Sequence, residues 1–230
     1  MRNEPTLLVP TISPAVRGAV RVGVIQASPV RVGPAGPDLQ AAMEELASSL
    51  ASRHAGRAPG EIQGLRSARD LYHEFGVDPT RTRPSSEALL RRVLSGKPLP
   101  RILNAVDFCN LCSLRFLLPI GLYDANKIRG PVVLRQGESE ESYPGIRKEA
   151  VHLRERLVLA DDGGAFGNPT SDSLRTSVTQ ETARLFMVVF APASFPRDTM
   201  ESNVEFAKYG MARYLAPPGE AVVASGAVLP

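Results

Sequence analysis

The pattern of apolar residues changes near Pro131, and this change constrains the fold more than any other feature of the sequence. Before it, apolar residues recur three and four positions apart, a spacing typical of amphipathic helices. After it, short apolar runs rich in valine and leucine predict strands. A helical first half and a strand-rich second half, without an internal repeat, predict one mixed domain of the α+β class.

The same periodicities place the individual elements. Val20, Val22 and Val24 alternate with their neighbours and predict a strand that opens the fold. Helices are predicted over 39–56, with Asp38 as the capping residue, and over 62–75, 85–96, 103–117 and 198–215. Further strands are predicted over 132–134, 157–159 and 185–190. We therefore expect a lead over 1–19, one domain over 20–215 and a flexible tail over 216–230.

Length and composition exclude several classes of protein. A chain of 230 residues with 43% hydrophobic content is long enough to bury a core. Its apolar runs, such as residues 116–120, are far shorter than the roughly 20 residues that cross a bilayer. The first ten residues contain an acid and two prolines and match neither a secretory signal nor a transit peptide. We expect a cytoplasmic protein with no membrane partner.

The two cysteines, Cys109 and Cys112, have a C-x-x-C spacing but no second pair that would complete a zinc site. They lie inside an apolar helical pattern rather than at the start of a helix, where a redox pair is expected. We interpret them as small packing residues and predict neither a metal nor a cofactor.

Positive charge is concentrated in one segment of the chain. Residues 66–101 contain eight bases and four acids, a surplus of +4, whereas the whole chain has a net charge of +3. Two interpretations remain open. The segment is either a solvated helical face or a patch that contacts phosphate groups.

A polar face interrupts the apolar pattern of the fourth predicted helix. Asn104, Asp107 and Asn110 are spaced three apart and therefore share one side of the helix. Asn104 suits an N-cap, and Asp107 would be favourable in the first turn, so both have a structural explanation. Asn110 has no such explanation, which makes it a candidate for a functional site.

A loop after the strand at 157–159 has the second concentration of polar groups. It is rich in glycine, and its donors and acceptors are Asn168, Thr170, Ser171, Asp172, Arg175 and Thr176. Small residues let backbone approach a ligand closely, although the glycine spacing matches neither a phosphate loop nor a dinucleotide fingerprint. The pattern is equally compatible with a binding site and with an ordinary polar turn.

Nucleophilic catalysis has little support in the sequence. There is no G-x-S-x-G motif, and His54, His73 and His152 all lie outside the two polar concentrations. If the protein catalyses a hydrolysis, water activated by Asp172 or by the substrate is the better hypothesis. Such a carboxylate would need a raised pKa or strong positioning of the water, because it is otherwise a weak base.

Several motifs in order resemble free-standing B3/B4 proteins and the B3/B4 editing domain of the phenylalanyl-tRNA synthetase β subunit. They are FGVDPTR at 75–81, RPSSEALLRR at 83–92, NAVDFCN at 104–110, LPIGLYD at 118–124, KIRG at 127–130 and FGNPTSDS at 166–173. The resemblance covers about residues 20–214. It implies a three-layer sandwich of two β-sheets with helices. It also implies a pocket that, in the synthetase, hydrolyses tyrosine wrongly joined to the phenylalanine tRNA.

Carried over to this chain, the resemblance implies a trans-editing deacylase whose partner is tRNA or aminoacyl-tRNA. Asn110 matches a pocket asparagine of the family, Gly121 replaces a family histidine, and Asp172 is the nearest counterpart of a pocket glutamate. The expected catalytic residues are Asp172 and Asn110. The expected substrate-binding residues are Asn104, Asp107, Gly121, Tyr123, Asn168, Thr170, Ser171, Arg175 and Thr176, and the expected RNA contacts are Arg81, Arg83, Arg91 and Arg92.

Two alternatives remain open at this point. One is a tRNA-binding module that kept the fold without the chemistry, which the replacement of the family histidine by Gly121 allows. The other is a protein that acts on a free amino acid or a related small molecule in the same pocket.

Overall fold

The described residues, 7–146 and 148–230 of a computed structural model, form five α-helices and ten strands. The helices are α1 (Pro37–Arg53), α2 (Arg66–Glu74), α3 (Ser85–Leu94), α4 (Asn104–Phe116) and α5 (Arg197–Tyr214). The strands are β1 (Thr11–Ile12), β2 (Val20–Ser28), β3 (Ile120–Asp124), β4 (Val133–Gln136), β5 (Ser142–Gly145), β6 (Lys148–His152), β7 (Leu157–Asp161), β8 (Gly164–Gly167), β9 (Leu185–Pro192) and β10 (Val223–Leu229).

A four-stranded antiparallel sheet in the order β10-β2-β9-β3 lies at the centre of the molecule. All eight residues of β9 are buried, because this strand is covered on both faces. Its side chains alternate between two hydrophobic cores, with Met187 and Val189 in one and Phe186 and Val188 in the other.

The two cores define three layers. On one face of the central sheet, α1, α4 and α5 pack through residues such as Met43, Phe108 and Met211. On the other face lies a second sheet in the order β1-β4-β7-β8, and α2 contributes Leu71 to the same core. The predicted α+β fold, a three-layer sandwich of two sheets with helices, is therefore confirmed.

A small hairpin of β5 and β6 extends from the second sheet. It is tied to the polar loop that follows β8, because Gly145 pairs with Ser173 and the N–H of Ile146 donates to the carbonyl oxygen of Asp172 at 3.3 Å. The hairpin thus forms part of the wall around that loop.

Both terminal segments, which the sequence predicts as a lead and a flexible tail, contain strands that pair with the sheets. Residues of β10 pair with β2 along its length, from Val223 opposite Ser28 to Leu229 opposite Val22. Near the other terminus, β1 pairs in parallel with β4, and Ile12 and Val16 are buried in the core between the two sheets. Residues 1–6 of the predicted lead lie outside the described residues. Both terminal segments belong to the sandwich because they cover sheet edges that would otherwise be open.

The predicted helices and main strands are present, with differences at their starts. The second predicted helix begins later, at Arg66, after two short 3₁₀ turns over Pro59–Glu61 and Gln63–Leu65. Neither predicted cap is used as expected: Gly36 and Leu103 precede α1 and α4, and no side chain caps either helix. Asp38 and Asn104 instead lie inside the first turn.

Candidate functional site

A cleft of about 650 Å³ opens where α4, the edge strand β3, the β5–β6 hairpin and the loop after β8 meet. This volume falls within the range of about 300–1,000 Å³ that is usual for small-molecule sites. The polar lining residues are Asn110 on α4 and Thr170, Ser171, Asp172 and Ser177 on the opposite wall.

Most of the remaining lining is apolar. Two of its residues, Ile102 and Ile146, are large hydrophobic side chains that are 46% and 51% exposed. Exposed apolar groups gathered at one opening are typical of a binding surface. The apolar lining residues are Ile102, Leu103, Val106, Ile120, Leu122, Ile146 and Val178. In the described part of the chain, Asp172 is the one carboxylate among the lining residues, and no lysine or arginine is among them.

The loop that carries Asp172 is held by hydrogen bonds on both sides. The Asn168 side-chain oxygen accepts from the backbone N–H groups of Thr170 and Ser171 at 2.7 and 2.8 Å. The Tyr143 hydroxyl donates to the Ser171 carbonyl oxygen at 2.5 Å. These contacts fix the backbone next to Asp172, as a catalytic or binding side chain requires.

Burial raises the pKa of the Asp172 carboxyl group to about 7. The Tyr123 hydroxyl and the backbone N–H of Leu122 act in the opposite direction, because they stabilise the charged form. Asp172 Oδ1 and the Tyr123 hydroxyl are both inaccessible to solvent, and their contact falls outside regular hydrogen-bond geometry. This weak contact agrees with a pKa that stays above the ordinary value, close to the optimum for a general base at neutral pH.

Two glycines make room for Tyr123. Its side chain is fully buried, and a Cβ at Gly121 or Gly167 would lie only 2.0 or 2.2 Å from its hydroxyl oxygen. Gly121 therefore does not line the cleft; it lets the Tyr123 hydroxyl reach Asp172.

The polar face of α4 is divided between structural roles and the cleft. Asn104 accepts from the N–H of Gly33 at 3.0 Å and donates to the carbonyl oxygen of Arg31 at 2.9 Å. Asp107 accepts from the N–H of Ile102 at 2.9 Å, which holds the loop before α4. Both side chains are buried outside the cleft lining, whereas Asn110 faces the cleft.

Three other predicted substrate-binding residues also lie away from the cleft lining. Asn168 is buried and organises its own loop. Arg175 forms a bidentate ion pair with Asp161 at 2.7 and 3.0 Å, and the Thr176 hydroxyl points to the carbonyl oxygen of Phe166. Of the residues predicted for catalysis and substrate binding, the structure brings together Asn110, Thr170, Ser171 and Asp172.

The four predicted RNA-contacting arginines are spread around α3. Arg83 and Arg91 pair with Glu87, at 3.8 and 2.8 Å. Arg81 is highly exposed and pairs with Asp78 at 3.7 Å, while Arg92 donates to the carbonyl oxygen of Pro98. Two of the four arginines therefore meet at Glu87, and the cleft lining contains none of them.

Cys109 and Cys112 are both buried and free, and burial raises the pKa of each thiol. Cys109 also contributes to the cleft wall, which the packing interpretation did not foresee. Within residues 7–146 and 148–230, no group of three or more His, Cys, Asp or Glu side chains is arranged to hold a metal ion. Over the same residues, no helix has the length and apolar character needed to cross a bilayer.

The apolar half of the cleft was not predicted from the sequence. Ile120 and Leu122 belong to β3, and Ile146 lies at the turn of the β5–β6 hairpin, so the fold brings together two regions that are separate in sequence. The hairpin had a usable signal, because Pro144 and Gly145 are typical turn residues next to the apolar Tyr143.

The fold and the cleft define a class: an α+β sandwich protein with a mainly apolar, ligand-sized cleft and a half-buried carboxyl group in its wall. The B3/4 domain family matches residues 67–203, more than half of the chain. The chain therefore belongs to the B3/4 domain family, and the resemblance found in the sequence is confirmed.

Two individual relatives are more distant. The chain is 27% identical over 96 residues to the uncharacterized protein YhzB of Bacillus subtilis (strain 168). This alignment covers 42% of this chain and 40% of YhzB. It thus spans less than half the length of that relative. Among solved structures, an N-terminal fragment of the phenylalanyl-tRNA synthetase β-subunit from Pyrococcus horikoshii is 19% identical, with a TM-score of 0.38. That alignment covers 46% of this chain and 40% of the fragment.

Proposed function

We propose that this protein hydrolyses the ester bond of a mischarged aminoacyl-tRNA, as a cytoplasmic deacylase. One observation carries the proposal: the Asp172 carboxyl group, with a pKa of about 7, lies in the wall of a cleft that also contains Asn110. The chemistry follows from that pair, and the tRNA substrate follows from the motifs shared with the synthetase editing domain.

In the proposed reaction, the Asp172 carboxylate takes a proton from a water molecule as the water oxygen attacks the ester carbonyl carbon. The Asn110 amide donates to the carbonyl oxygen, on which negative charge develops. The bond between the carbonyl carbon and the ribose oxygen then breaks, and the ribose oxygen receives the proton held by Asp172. The products are a free amino acid and a tRNA with a free terminal hydroxyl group.

The lining also limits the amino acid that the cleft would accept. A side chain in contact with Val106, Ile120, Leu122 and Val178 gains free energy by leaving water if it is apolar. A cationic side chain would be accepted poorly because it would lose its hydration against a mainly apolar lining. We therefore propose an apolar or aromatic amino acid.

The test is a panel of tRNAs charged with different amino acids and incubated with the protein. Wild type is expected to release an apolar amino acid, with a rate that rises with pH through about 7 because the carboxylate is the active form. Asp172→Asn is expected to lower kcat by about 10²-fold or more, and Asn110→Ala by about 10²-fold. Asp162→Asn, an exposed carboxylate outside the cleft lining, is the matched control and is expected to retain full activity.

Ester loss that persists in Asp172→Asn would contradict the catalytic role of Asp172. Binding of tRNA without ester loss from any member of the panel would instead identify a binding module. Neither binding nor turnover with tRNA would exclude both and direct the search to free amino acids.

A further inference from the structure

A second, separate pocket lies around Glu87, in the first turn of α3. Glu87 is buried, and its carboxylate accepts two hydrogen bonds from Arg69, at 2.8 and 2.9 Å, and one from Arg91, at 2.8 Å. Arg83 approaches the same carboxylate at 3.8 Å. Burial disfavours the charged form of Glu87, but the two bonded arginines outweigh it and hold its pKa below the ordinary value.

The charges in this pocket do not balance. In the described part of the chain, Glu87 is the one carboxylate that pairs with Arg69, Arg83 or Arg91, so three guanidinium groups share a single negative charge. The nearby Asp78 is engaged elsewhere, because it accepts from the N–H and hydroxyl of Thr80 and pairs with Arg81. The pocket therefore has a surplus of two positive charges.

The surplus charge lines an open space. The pocket has a volume of about 200 Å³, and its walls include Arg69, His73, Thr80, Arg83, Glu87 and Arg91. The side chains of Arg83 and Arg91 are 44% and 42% exposed, so their unused N–H groups remain accessible. Buried Glu87 holds Arg69 and Arg91 in place, which reduces the entropy that they would lose when an anion binds.

We infer that this pocket binds a phosphate group. Guanidinium groups present paired N–H donors that match phosphate oxygens, and two surplus positive charges suit a phosphate monoester or diester. The pocket shares no lining residue with the cleft around Asp172, so the inference does not depend on ester hydrolysis. The phosphate belongs either to a nucleic-acid backbone or to a small phosphorylated molecule.

Arg83 and Arg81 provide a matched pair of variants. Arg83 lines the pocket and makes only a long contact with Glu87, whereas Arg81, two positions away, is 89% exposed and does not line the pocket. Arg83→Ala and Arg81→Ala remove the same charge from the same segment. Binding of inorganic phosphate, measured by calorimetry, is expected to weaken about 10-fold in Arg83→Ala and to remain unchanged in Arg81→Ala.

Uncharged tRNA distinguishes the two sources of phosphate. A larger loss of tRNA affinity in Arg83→Ala than in Arg81→Ala, with a slope of affinity against salt smaller by about one, identifies a nucleic-acid backbone. A loss of phosphate binding with tRNA affinity unchanged identifies a small phosphorylated ligand. Arg83→Lys, which keeps the charge but loses the paired donors, is expected to be intermediate and serves if the alanine variant folds poorly.

The inference is overturned if wild type does not bind inorganic phosphate at millimolar concentrations, or if Arg83→Ala binds it as well as wild type. Deacylation by Arg83→Ala is measured separately, at saturating substrate. If phosphate binding fails these tests, the proposed chemistry at Asp172 is therefore not contradicted.

Discussion

Asp172 illustrates how the environment of one residue determines what its side chain can do. An aspartate in water is charged at neutral pH and is a weak base. In this fold, burial raises the pKa to about 7, and the Tyr123 hydroxyl and the Leu122 N–H offset part of the effect. These neighbours come from β3, about fifty positions earlier in the chain, so local sequence indicates a polar loop but not the pKa of this carboxyl group.

The raised pKa predicts that Asp172→Asn stabilises the protein at high pH. Between the ordinary pKa of 3.8 and about 7, the folded state holds a proton that the unfolded state has lost, so wild-type stability falls as pH rises through this interval. Asparagine does not titrate. The stability gain of Asp172→Asn over wild type is expected to be larger at pH 8 than at pH 5 by roughly 2 kcal/mol in urea unfolding. An equal effect at both pH values would contradict the assignment.

Tyr123→Phe tests the partner of Asp172. Removing the hydroxyl takes away a group that lowers the pKa of Asp172, so the midpoint of the pH profile of kcat/KM is expected to rise by up to about one unit. Tyr143→Phe is the control, because its hydroxyl bonds to the Ser171 carbonyl oxygen rather than to Asp172. A ¹³C NMR titration of the carboxyl group gives the same comparison without turnover. An unchanged midpoint in Tyr123→Phe would rule out this positioning role.

At the scale of elements, the spacing of apolar residues predicted the helices and the main strands. Each of these elements buries one or both of its faces, and a buried face places apolar residues at regular intervals in the sequence. The spacing failed at β10, where small residues such as Ala224, Ser225 and Gly226 do not have a strong strand pattern. A glycine is needed there, because a Cβ at Gly226 would lie 2.6 Å from the side chain of Val204 on α5. Tertiary packing rather than local preference makes this segment a strand.

The network around Glu87 joins α2 to α3 and gives a prediction at this scale. Glu87→Gln leaves Arg69, Arg83 and Arg91 without their shared carboxylate, and two of them lose charge-assisted hydrogen bonds. We expect a loss of about 2 kcal/mol in the free energy of unfolding at pH 7, measured in urea. Because the folded-state pKa of Glu87 lies below 4.5, this contribution is lost only as pH falls below that value.

The matched control is Glu44→Gln, which breaks the pair between Glu44 and Arg101. Both of those side chains are largely exposed, so the expected loss is about 0.5 kcal/mol or less. If Glu87→Gln cost no more than this control, the network would be a surface feature rather than a connection between helices.

At the scale of the whole molecule, the central sheet lies between the two cores and contributes side chains to both. Sequence alone predicted a buried strand over 185–190, and its unbroken apolar run is explained by two covered faces. The cleft arises at the same scale. Its walls come from α4, β3, the hairpin and the loop after β8, which are separated by tens of residues and meet only once the sandwich has formed. The sequence therefore indicated Asn110 and Asp172 separately, whereas their shared cleft depends on the complete fold.

Two neighbouring residues of β9 test whether the two cores unfold together. Val188 faces the core between the two sheets, and Val189 faces the core between the central sheet and the helices. Val188→Ala and Val189→Ala are each expected to lower the free energy of unfolding by about 2 kcal/mol. Each variant is also expected to keep a single unfolding transition, since β9 contributes side chains to both cores.

The sequence has five tyrosines and no tryptophan, so near-ultraviolet circular dichroism reports tyrosine packing. Tyr123 lies in one core, and Tyr214 packs against Phe108 in the other. Coincident near- and far-ultraviolet transitions are expected in both variants, and a separate early transition in either would show that the layers unfold independently.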